Sequence, residues 1–221
     1  MRSRRLSVNG LYAVTPDSQD TGWLEQRVQQ ALLGGARLVQ YRNKSADPAL
    51  KLSQARALRA LCKRHGALFI VNDAVELAGL CGAHGVHLGR DDHSIASARR
   101  RLGRAVLIGA SCYDDLARAR QCLEAGADYL AFGSFFSSAI KPDAARAPLE
   151  LLHEARNRWR LPLVAIGGIT PDNAPALLAA GADALAVISA LFQVPDTCAA
   201  AREFARLFES RASSPPLNAT A

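Results

Sequence analysis

The chain has 221 residues, of which 49% are hydrophobic, and its 27 basic and 20 acidic side chains give a net charge of +7. These values indicate one domain with a substantial core, and no apolar run is long enough to span a membrane. A basic surface attracts polyanions, but only 6% of the residues are aromatic and no nucleic-acid-binding signature is present. We therefore expect a small polyanionic ligand and no nucleic-acid or membrane partner.

A strand-like run recurs eight times along the chain, and most of the runs end on a polar residue or a glycine. Helix-like stretches rich in Ala, Leu and Arg separate most of them, and Gly-Ala pairs precede four of them. This alternation predicts a single (β/α)8 TIM barrel with parallel strands over residues 1–209, with an open doubly wound sheet as the alternative. The runs are Leu11–Thr15, Leu38–Arg42, Leu68–Asp73, Gly85–Gly89, Val106–Ser111, Tyr129–Ser134, Leu163–Gly168 and Ala184–Ser189.

The ends of the chain and its cysteines indicate the compartment. Residues 210–221 are small, polar and Pro-rich, which predicts a disordered C-terminal tail. The basic N-terminus lacks the apolar core of a signal peptide. Five cysteines without paired spacing indicate reduced thiols, so we expect a cytoplasmic protein.

Cations gather at the end of the second predicted strand. Strand alternation places Gln40 and Arg42 on one face, and Lys44 follows just past the strand. In parallel barrels the active site lies at the carboxyl ends of the strands. The planar fork of an arginine and the point charge of a lysine both suit phosphate oxygens. The alternative is an ordinary exposed polar strand end.

Acidic residues end the next two predicted strands. Asp73 follows the apolar third strand, and Asp91 and Asp92 follow the fourth. Carboxylates at neighbouring strand ends can share one Mg²⁺ ion whose other positions are filled by water and phosphate oxygens. Either Asp91 or Asp92 could instead cap the helix predicted at Ser94–Leu102. Cations and carboxylates in one barrel mouth together indicate a diphosphate–magnesium complex.

The remaining strands complete the predicted mouth. Ser111 ends the fifth strand, where it could donate to a phosphate or cap the following helix. The sixth strand opens into a long loop with hydroxyl groups and Lys141, and long loops in barrels are usually functional lids. Gly168 and Ser189 end the last two strands, a common phosphate site of this architecture. No arrangement typical of a nucleophilic triad is present.

The motifs resemble the thiamine-phosphate synthase family from Gly10 to about Phe192. That family joins a hydroxymethylpyrimidine diphosphate to a thiazole phosphate, or to its carboxylated form, and releases pyrophosphate with the help of Mg²⁺. The resemblance therefore implies a transferase of thiamine biosynthesis with two small phosphorylated substrates. The most specific matching stretches are Gln40–Lys44, Asn72–Asp73 with His87–Asp92, Ile108–Ser111, and Ala165–Ile169 with Val187–Ala190.

The resemblance also implies a role for each matching residue. The expected catalytic residues are Arg42, Lys44, Ser111 and Lys141. The pyrimidine diphosphate would be bound by Gln40, Tyr41, Arg42, Asn43, Lys44, Asn72, Ser111 and Lys141. The thiazole phosphate would be bound by Ser138, Ala139, Ile140, Gly168, Ile188 and Ser189. One Mg²⁺ ion per subunit would be bound by Asp73 and Asp92. The oligomeric state stays open, and a homo-oligomer is one option.

Three positions depart from the family pattern. Ile140 replaces a threonine whose hydroxyl would contact the thiazole, Ser134 stands where proline is usual, and Arg90 stands where glutamine is usual. Loss of one neutral hydrogen bond costs about 0.5–1.5 kcal/mol. The departures therefore predict weaker or altered thiazole binding rather than loss of activity.

Two other functions fit the same barrel group. A thiazole tautomerase-like enzyme would carry a histidine base in the loop after the sixth strand, and Ser134 and its neighbours offer none. A non-catalytic regulatory protein that binds thiazole phosphate would not need the cations and carboxylates predicted for a diphosphate. Both remain alternatives to the coupling reaction.

Overall fold

Eight parallel strands form a closed barrel in chain order in the computed structural model, which describes residues 7–137 and 146–213. The ring closes because β8 pairs with β1, with Gly10 opposite Ala184 and Ala13 opposite Val187. The predicted (β/α)8 barrel is confirmed, and the open sheet is wrong. The strands are β1 Gly10–Val14, β2 Leu38–Tyr41, β3 Leu68–Asn72, β4 Gly85–Leu88, β5 Leu107–Tyr113, β6 Tyr129–Phe132, β7 Leu163–Ile166 and β8 Ala184–Val187.

Helices follow the strands and cover the outside of the barrel. Several begin at residues that suit a helix start. Asp47 accepts a hydrogen bond from the Leu50 N–H, and Pro48 occupies the first helical position. None of the described helices has the length and apolar character needed to cross a membrane. The helices are α1 Thr21–Leu33, α2 Pro48–His65, α3 Val75–Leu80, α4 Ile95–Leu102, α5 Leu116–Glu124, α6 Glu150–Arg158, α7 Ala174–Ala179, α8 Ser189–Phe192 and α9 Thr197–Ser213.

The last helix is longer than the sequence predicted. Residue 210 was expected to begin a disordered tail, but α9 continues to Ser213. The helix packs against α1, and Phe204 is fully buried. The rest of the predicted tail, residues 214–221, lies outside the described residues.

Strand alternation divides the core into two layers. One layer fills the barrel interior and contains Tyr12, Ile70, Tyr129 and Val164. The other layer lies between the strands and the helices, and Tyr41 belongs to it. Adjacent residues of one strand therefore belong to different layers. This rule decides which predicted residues can reach a ligand in the barrel.

Aspartates pin the amino ends of the barrel strands. Asp128 accepts from the backbone N–H of Ile108 at 2.7 Å and pairs with Arg99 at 2.6 Å. Asp183 makes the equivalent contact, since it accepts from the Leu163 N–H and pairs with Arg156. Both aspartates directly follow a Gly-Ala pair, so the weak sequence repeat corresponds to a repeated contact.

A glycine makes room for the largest side chain inside the barrel. A Cβ atom at Gly109 of β5 would lie 2.0 Å from the Cζ atom of Tyr129, whose ring is fully buried. The Tyr129 hydroxyl is fixed by the Tyr12 hydroxyl at 3.0 Å. Because the ring cannot move without breaking that contact, only glycine fits at this position.

We expect Gly109→Ala to lower the free energy of unfolding by about 1–3 kcal/mol, since overpacking a filled core forces neighbours out of place. Urea unfolding of the variant and the parent measures the difference. Gly79→Ala is the control, because its Cβ would lie 3.6 Å from Leu102 on an exposed helix face. That change should be neutral or stabilising. Equal stabilities for the two variants would contradict the packing described for Gly109.

Candidate active site

A cavity of about 820 Å³ opens at the carboxyl ends of the strands. Apolar side chains form part of its wall, including Val164, Ile166 and Ala186 from β7 and β8. This wall suits an uncharged ring, and the polar side chains suit anions. The polar lining from the first five strands and the residues that directly follow them includes Tyr12, Gln40, Arg42, Asn72, His87, Arg90, Ser111 and Tyr113.

Two predicted acidic residues lie together beside this cavity. Asp73 follows β3 in a left-handed conformation with φ of 60°, and its N–H donates to the His87 carbonyl at 2.8 Å. Burial and the neighbouring Asp92 carboxyl raise the pKa of Asp73 to about 6, while Lys44 acts in the opposite direction. Asp92 also accepts from the Gly89 N–H at 2.6 Å.

This carboxylate pair fits a hard divalent cation. Oxygen donors are the ligands that Mg²⁺ prefers, and both burial and the neighbouring Asp92 carboxyl raise the pKa of Asp73, so that a bound cation would favour its ionised form. Within residues 7–137 and 146–213, no three His, Cys, Asp or Glu side chains gather in a way that could hold a metal ion. The described protein groups therefore supply few ligands, and water and phosphate oxygens would complete the coordination.

The cations of the second strand lie at the cavity mouth. The Arg42 guanidinium lines the cavity and pairs with Asp17 at 2.9 Å. Its backbone N–H donates to the Thr15 hydroxyl, which in turn donates to the Arg42 carbonyl. Lys44 is exposed, and it lies near enough to Asp73 to oppose the rise of that carboxyl's pKa. The backbone at this strand end is therefore held in place, with two cationic side chains beside it.

Two residues expected to bind the pyrimidine diphosphate do not line the cavity. Tyr41 points to the outer layer, where its hydroxyl donates to the Gln54 amide at 2.8 Å. Asn43 donates to the same amide at 3.0 Å and to the Ser18 carbonyl. Because both alternate with the inward Gln40 and Arg42, they hold the strand against α2 instead. Substrate binding by Tyr41 and Asn43 stays a prediction, and their side chains point away from the cavity because strand neighbours alternate in direction.

A chain of hydrogen-bonded side chains crosses the barrel under the cavity. Gln40 Nε2 donates to the Tyr12 hydroxyl at 2.8 Å, and the Tyr12 and Tyr129 hydroxyls lie 3.0 Å apart. The Tyr129 hydroxyl lies 3.1 Å from His87 Nδ1, and His87 Nε2 lies 2.9 Å from Ser111 Oγ. The chain thus joins two predicted substrate-binding residues, Gln40 and Ser111, through three residues that were not predicted.

Burial keeps this chain uncharged. It raises the pKa values of Tyr12 and Tyr129 above the usual range for tyrosine and lowers the pKa of His87 to about 4. The His87 ring also stacks on the Tyr129 ring, with centroids 5.5 Å apart. At neutral pH the side chains of this hydrogen-bonded chain, which form the floor of the cavity, therefore carry no net charge. The charged side chains lie at the cavity mouth.

The last two strands carry a backbone-lined loop. Gly168 has φ of 63°, and a Cβ there would lie 2.3 Å from the Ser137 carbonyl oxygen. Asn173 fixes the loop by donating to the Gly168 carbonyl at 3.0 Å and accepting from the Thr170 N–H at 2.9 Å. The cavity wall includes Gly168, Ile188 and Ser189, for which binding of thiazole phosphate stays a prediction.

Part of the expected site falls outside the described residues. The predictions for Ser138, Ala139, Ile140 and Lys141 concern positions in the gap between residues 137 and 146. The segment just before the gap is described, and its Ser134 and Ser137 line the cavity. The loop after β6 therefore starts at the cavity.

Comparison with known proteins identifies the family. The family model for thiamine monophosphate synthase matches residues 11–191, which span all the strands except the first residue of β1. The chain belongs to this family. A thiamine-phosphate synthase of Chromobacterium violaceum is 56% identical over 92% of this chain and 98% of its own length. One from Thioalkalivibrio sulfidiphilus is 55% identical over 91% of this chain and 96% of its own length.

A solved structure of the same family supports the assignment. The thiamine phosphate pyrophosphorylase from Pyrococcus furiosus superposes with a TM-score of 0.84 at 35% identity, and the match covers 93% of this chain and 98% of that one. A 3-hexulose-6-phosphate synthase also superposes, with a TM-score of 0.66 at 19% identity. The second likeness concerns the fold alone.

Sequence reasoning missed the middle of the hydrogen-bonded chain in this family member. Tyr12, His87 and Tyr129 each occupy an inward position of an apolar strand. The signal was present, because a polar side chain at the inward position of a barrel strand must find a partner. The identity of the partners was not readable, since they come from strands far apart in the chain.

Folding stability should depend on pH through His87. The unfolded chain protonates this histidine below its ordinary pKa of 6.5, whereas the folded chain protonates it only near pH 4. At His87 the unfolded state therefore binds more protons between these values, and this contribution to the free energy of unfolding falls by roughly 3 kcal/mol as pH falls through the window. The raised pKa of Asp73 acts in the opposite direction, because the folded state binds that proton first. The contribution of His87 is therefore read from the difference between the parent and a variant that lacks it.

Urea unfolding at pH values from about 7 down to about 4.5 tests this dependence. His87→Gln removes the titrating group, so its stability should fall less steeply with acid than that of the parent. His153→Gln changes an exposed residue of α6 and serves as the control, with the slope of the parent. A His87→Gln slope equal to that of the parent would exclude His87 as the source.

Proposed function

We propose that this chain is a transferase that joins an aminopyrimidine diphosphate to a thiazole phosphate, giving thiamine phosphate and pyrophosphate. Membership of the thiamine monophosphate synthase family and the names of its close relatives support this reaction. The observation that carries the proposal is that one cavity mouth holds an arginine fork, an amide and a hydroxyl beside a carboxylate pair. Those groups are Arg42, Asn72, Ser111, Asp73 and Asp92.

The proposed catalytic work is stabilisation of the leaving diphosphate. Arg42 would present its fork to the phosphate oxygens, while Asn72 and Ser111 would donate neutral hydrogen bonds. Lys44 and, by the sequence alone, Lys141 would add point charges. The position of Ser111 is supported by its contact with His87, and Arg42 would exchange its ion pair with Asp17 for the phosphate oxygens.

Asp73 and Asp92 would hold one Mg²⁺ ion. When bound, this ion would neutralise charge that develops on the departing diphosphate. The two carboxylates are suited to this role because their mutual repulsion is relieved by a cation. The left-handed backbone of Asp73 aims its carboxyl into the pocket that Asp92 also lines.

The pyrimidine ring would lie above the hydrogen-bonded chain. Gln40 would make a polar contact with this ring. The hydrogen bond that Gln40 donates to Tyr12 supports this role, because it fixes the orientation of the Gln40 amide. As the diphosphate leaves, positive charge develops on the pyrimidine methylene carbon and spreads into the aminopyrimidine ring. The neutral floor of Tyr12, Tyr129 and His87 would not repel that charge.

The thiazole phosphate would bind on the opposite side of the mouth. Gly168, Ile188 and Ser189 are proposed to hold its phosphate, and the Asn173 contacts support a preformed loop there. The thiazole nitrogen would then attack the pyrimidine carbon, and it needs no general base because it carries no proton. The apolar wall of β7 and β8 would exclude competing water. Roles for Ser138, Ala139 and Ile140 stay predictions from the sequence.

Cellular context belongs to the same proposal. We infer a cytoplasmic enzyme, supported by five cysteines that are all free thiols. Two small phosphorylated substrates would be its ligands, without nucleic acid or membrane. A homo-oligomer stays a prediction.

Incubation with both substrates and Mg²⁺ tests the proposed reaction against its alternatives. A synthase forms thiamine phosphate and pyrophosphate in equal amounts, which chromatography and a pyrophosphate assay measure. A tautomerase-like enzyme or a regulatory binding protein would form neither product. Absence of both products with the intact protein would refute the coupling function.

Metal dependence should follow Asp73. Chelation with EDTA should abolish coupling, and Asp73→Asn should lower kcat/KM by roughly 100-fold or more, because the leaving group loses charge stabilisation. Asp47→Asn is the matched control, since asparagine also caps α2 and the site is remote from the cavity. Undiminished coupling after chelation would contradict the role of the metal.

Arg42 should contribute through both charge and geometry. We expect Arg42→Ala to lower kcat/KM by roughly 100-fold and Arg42→Lys to recover only part of this loss, because lysine lacks the planar fork. Steady-state kinetics with the diphosphate substrate varied measures both. Unfolding curves establish that the variants remain folded. Arg42→Ala with parental kinetics would remove this residue from the proposed site.

A further inference from the structure

A second guanidinium group lies at the cavity mouth. Arg90 directly follows the Gly89 turn after β4, and its side chain lines the cavity. The guanidinium carbon lies 4.8 Å from the centroid of the Tyr113 ring. The backbone nitrogen of Arg90 donates to the Tyr113 hydroxyl at 3.4 Å. The arginine is thus stacked on a neighbouring strand end.

The ring under Arg90 is itself held in place. Tyr113 ends β5 with φ of 57°, where a shift of register interrupts the pairing with β6. Such a conformation in a residue other than glycine persists only where surrounding contacts impose it. Arg118 provides one of them, since its guanidinium lies 5.8 Å from the Tyr113 centroid and its Nε donates to the Ser111 carbonyl.

The charge of Arg90 is available to a ligand. The other arginine that lines the cavity, Arg42, is paired with Asp17 at 2.9 Å. Within residues 7–137 and 146–213, Arg90 has no carboxylate within 4.0 Å and its guanidinium has no hydrogen-bond acceptor. Stacking on Tyr113 occupies a face of the guanidinium and leaves its in-plane N–H groups free.

The position of Arg90 in the ring indicates which anion it would meet. Strand β4 stands opposite β8 in a closed ring of eight, so Arg90 lies across the mouth from Ser189. It is adjacent in the ring to Asp73 after β3 and to Ser111 of β5. These neighbours belong to the proposed diphosphate site, whereas the residues proposed for the thiazole phosphate follow β7 and β8.

We propose that Arg90 binds the diphosphate of the pyrimidine substrate directly and determines affinity for that group. The inference rests on the proposed function and assigns it a further binding residue. Arg42 approaches the diphosphate from β2, and Arg90 approaches it from β4. The stacked guanidinium offers two parallel N–H donors to phosphate oxygens, a contact that a lysine cannot reproduce.

Kinetics of Arg90→Gln and Arg90→Lys test the inference. We expect Arg90→Gln to raise the KM for the pyrimidine diphosphate and the inhibition constant of pyrophosphate by about fivefold each. The KM for thiazole phosphate should not change. Arg90→Lys should fall between the parent and Arg90→Gln. Arg100→Gln removes the same charge from the exposed face of α4, and should match the parent in all three constants.

Three results would overturn the proposal. Parental constants for Arg90→Gln would show that the diphosphate does not contact this residue. A change in the KM for thiazole phosphate without a change for pyrophosphate would assign Arg90 to the other substrate. Equal changes in these constants for Arg90→Gln and Arg100→Gln would show that they arise from the net charge of the protein and not from a contact made by Arg90.

The parent protein separates failure of this inference from failure of the function. A parent that does not couple the substrates refutes the proposed reaction. A parent that couples them, together with an Arg90→Gln variant of parental kinetics, refutes the role of Arg90 alone. Urea unfolding of each variant establishes that altered constants arise from a folded protein.

Discussion

The pairing of β8 with β1 is the contact on which the rest of the molecule depends. Closure of the ring brings strand ends that are far apart in sequence to one mouth, so that Arg42 and Ser189 line the same cavity. It also creates an interior narrow enough that a single ring, Tyr129, excludes a side chain at Gly109. Buried polar groups need hydrogen-bond partners, and the side chains inside the ring are close enough to serve one another, which explains the hydrogen-bonded chain under the cavity.

The two ends of the barrel carry different tasks. At the amino ends, Asp128 and its counterpart Asp183 bind strand backbone and a helix arginine, and His84 accepts from the Phe69 N–H in the equivalent place. These contacts hold the strands in register. At the carboxyl ends, Arg90 lines the cavity and the carboxyls of Asp73 and Asp92 lie side by side. In barrels of this kind the carboxyl ends carry the active site, while contacts at the amino ends serve stability.

The barrel could be predicted because the spacing of apolar residues within each strand or helix depends only on neighbouring residues. Alternation of strands and helices, glycine positions and helix caps can all be read from neighbouring residues, and the inward face of Gln40 and Arg42 followed from the same rule. The motif around them did not reveal that the side chains of Tyr41 and Asn43 bind Gln54, since consecutive residues of a motif need not share a face. The partners of Tyr12 could not be read, because contacts across the barrel depend on closure and not on local pattern.

The ion pair between Arg42 and Asp17 has a consequence for turnover. In the proposed reaction the substrate must compete with a resident carboxylate for the same guanidinium. That competition would weaken the binding of the pyrophosphate product as well as that of the substrate. Asp17 would then re-form its ion pair with the arginine as the product leaves, which would shorten the residence time of the product.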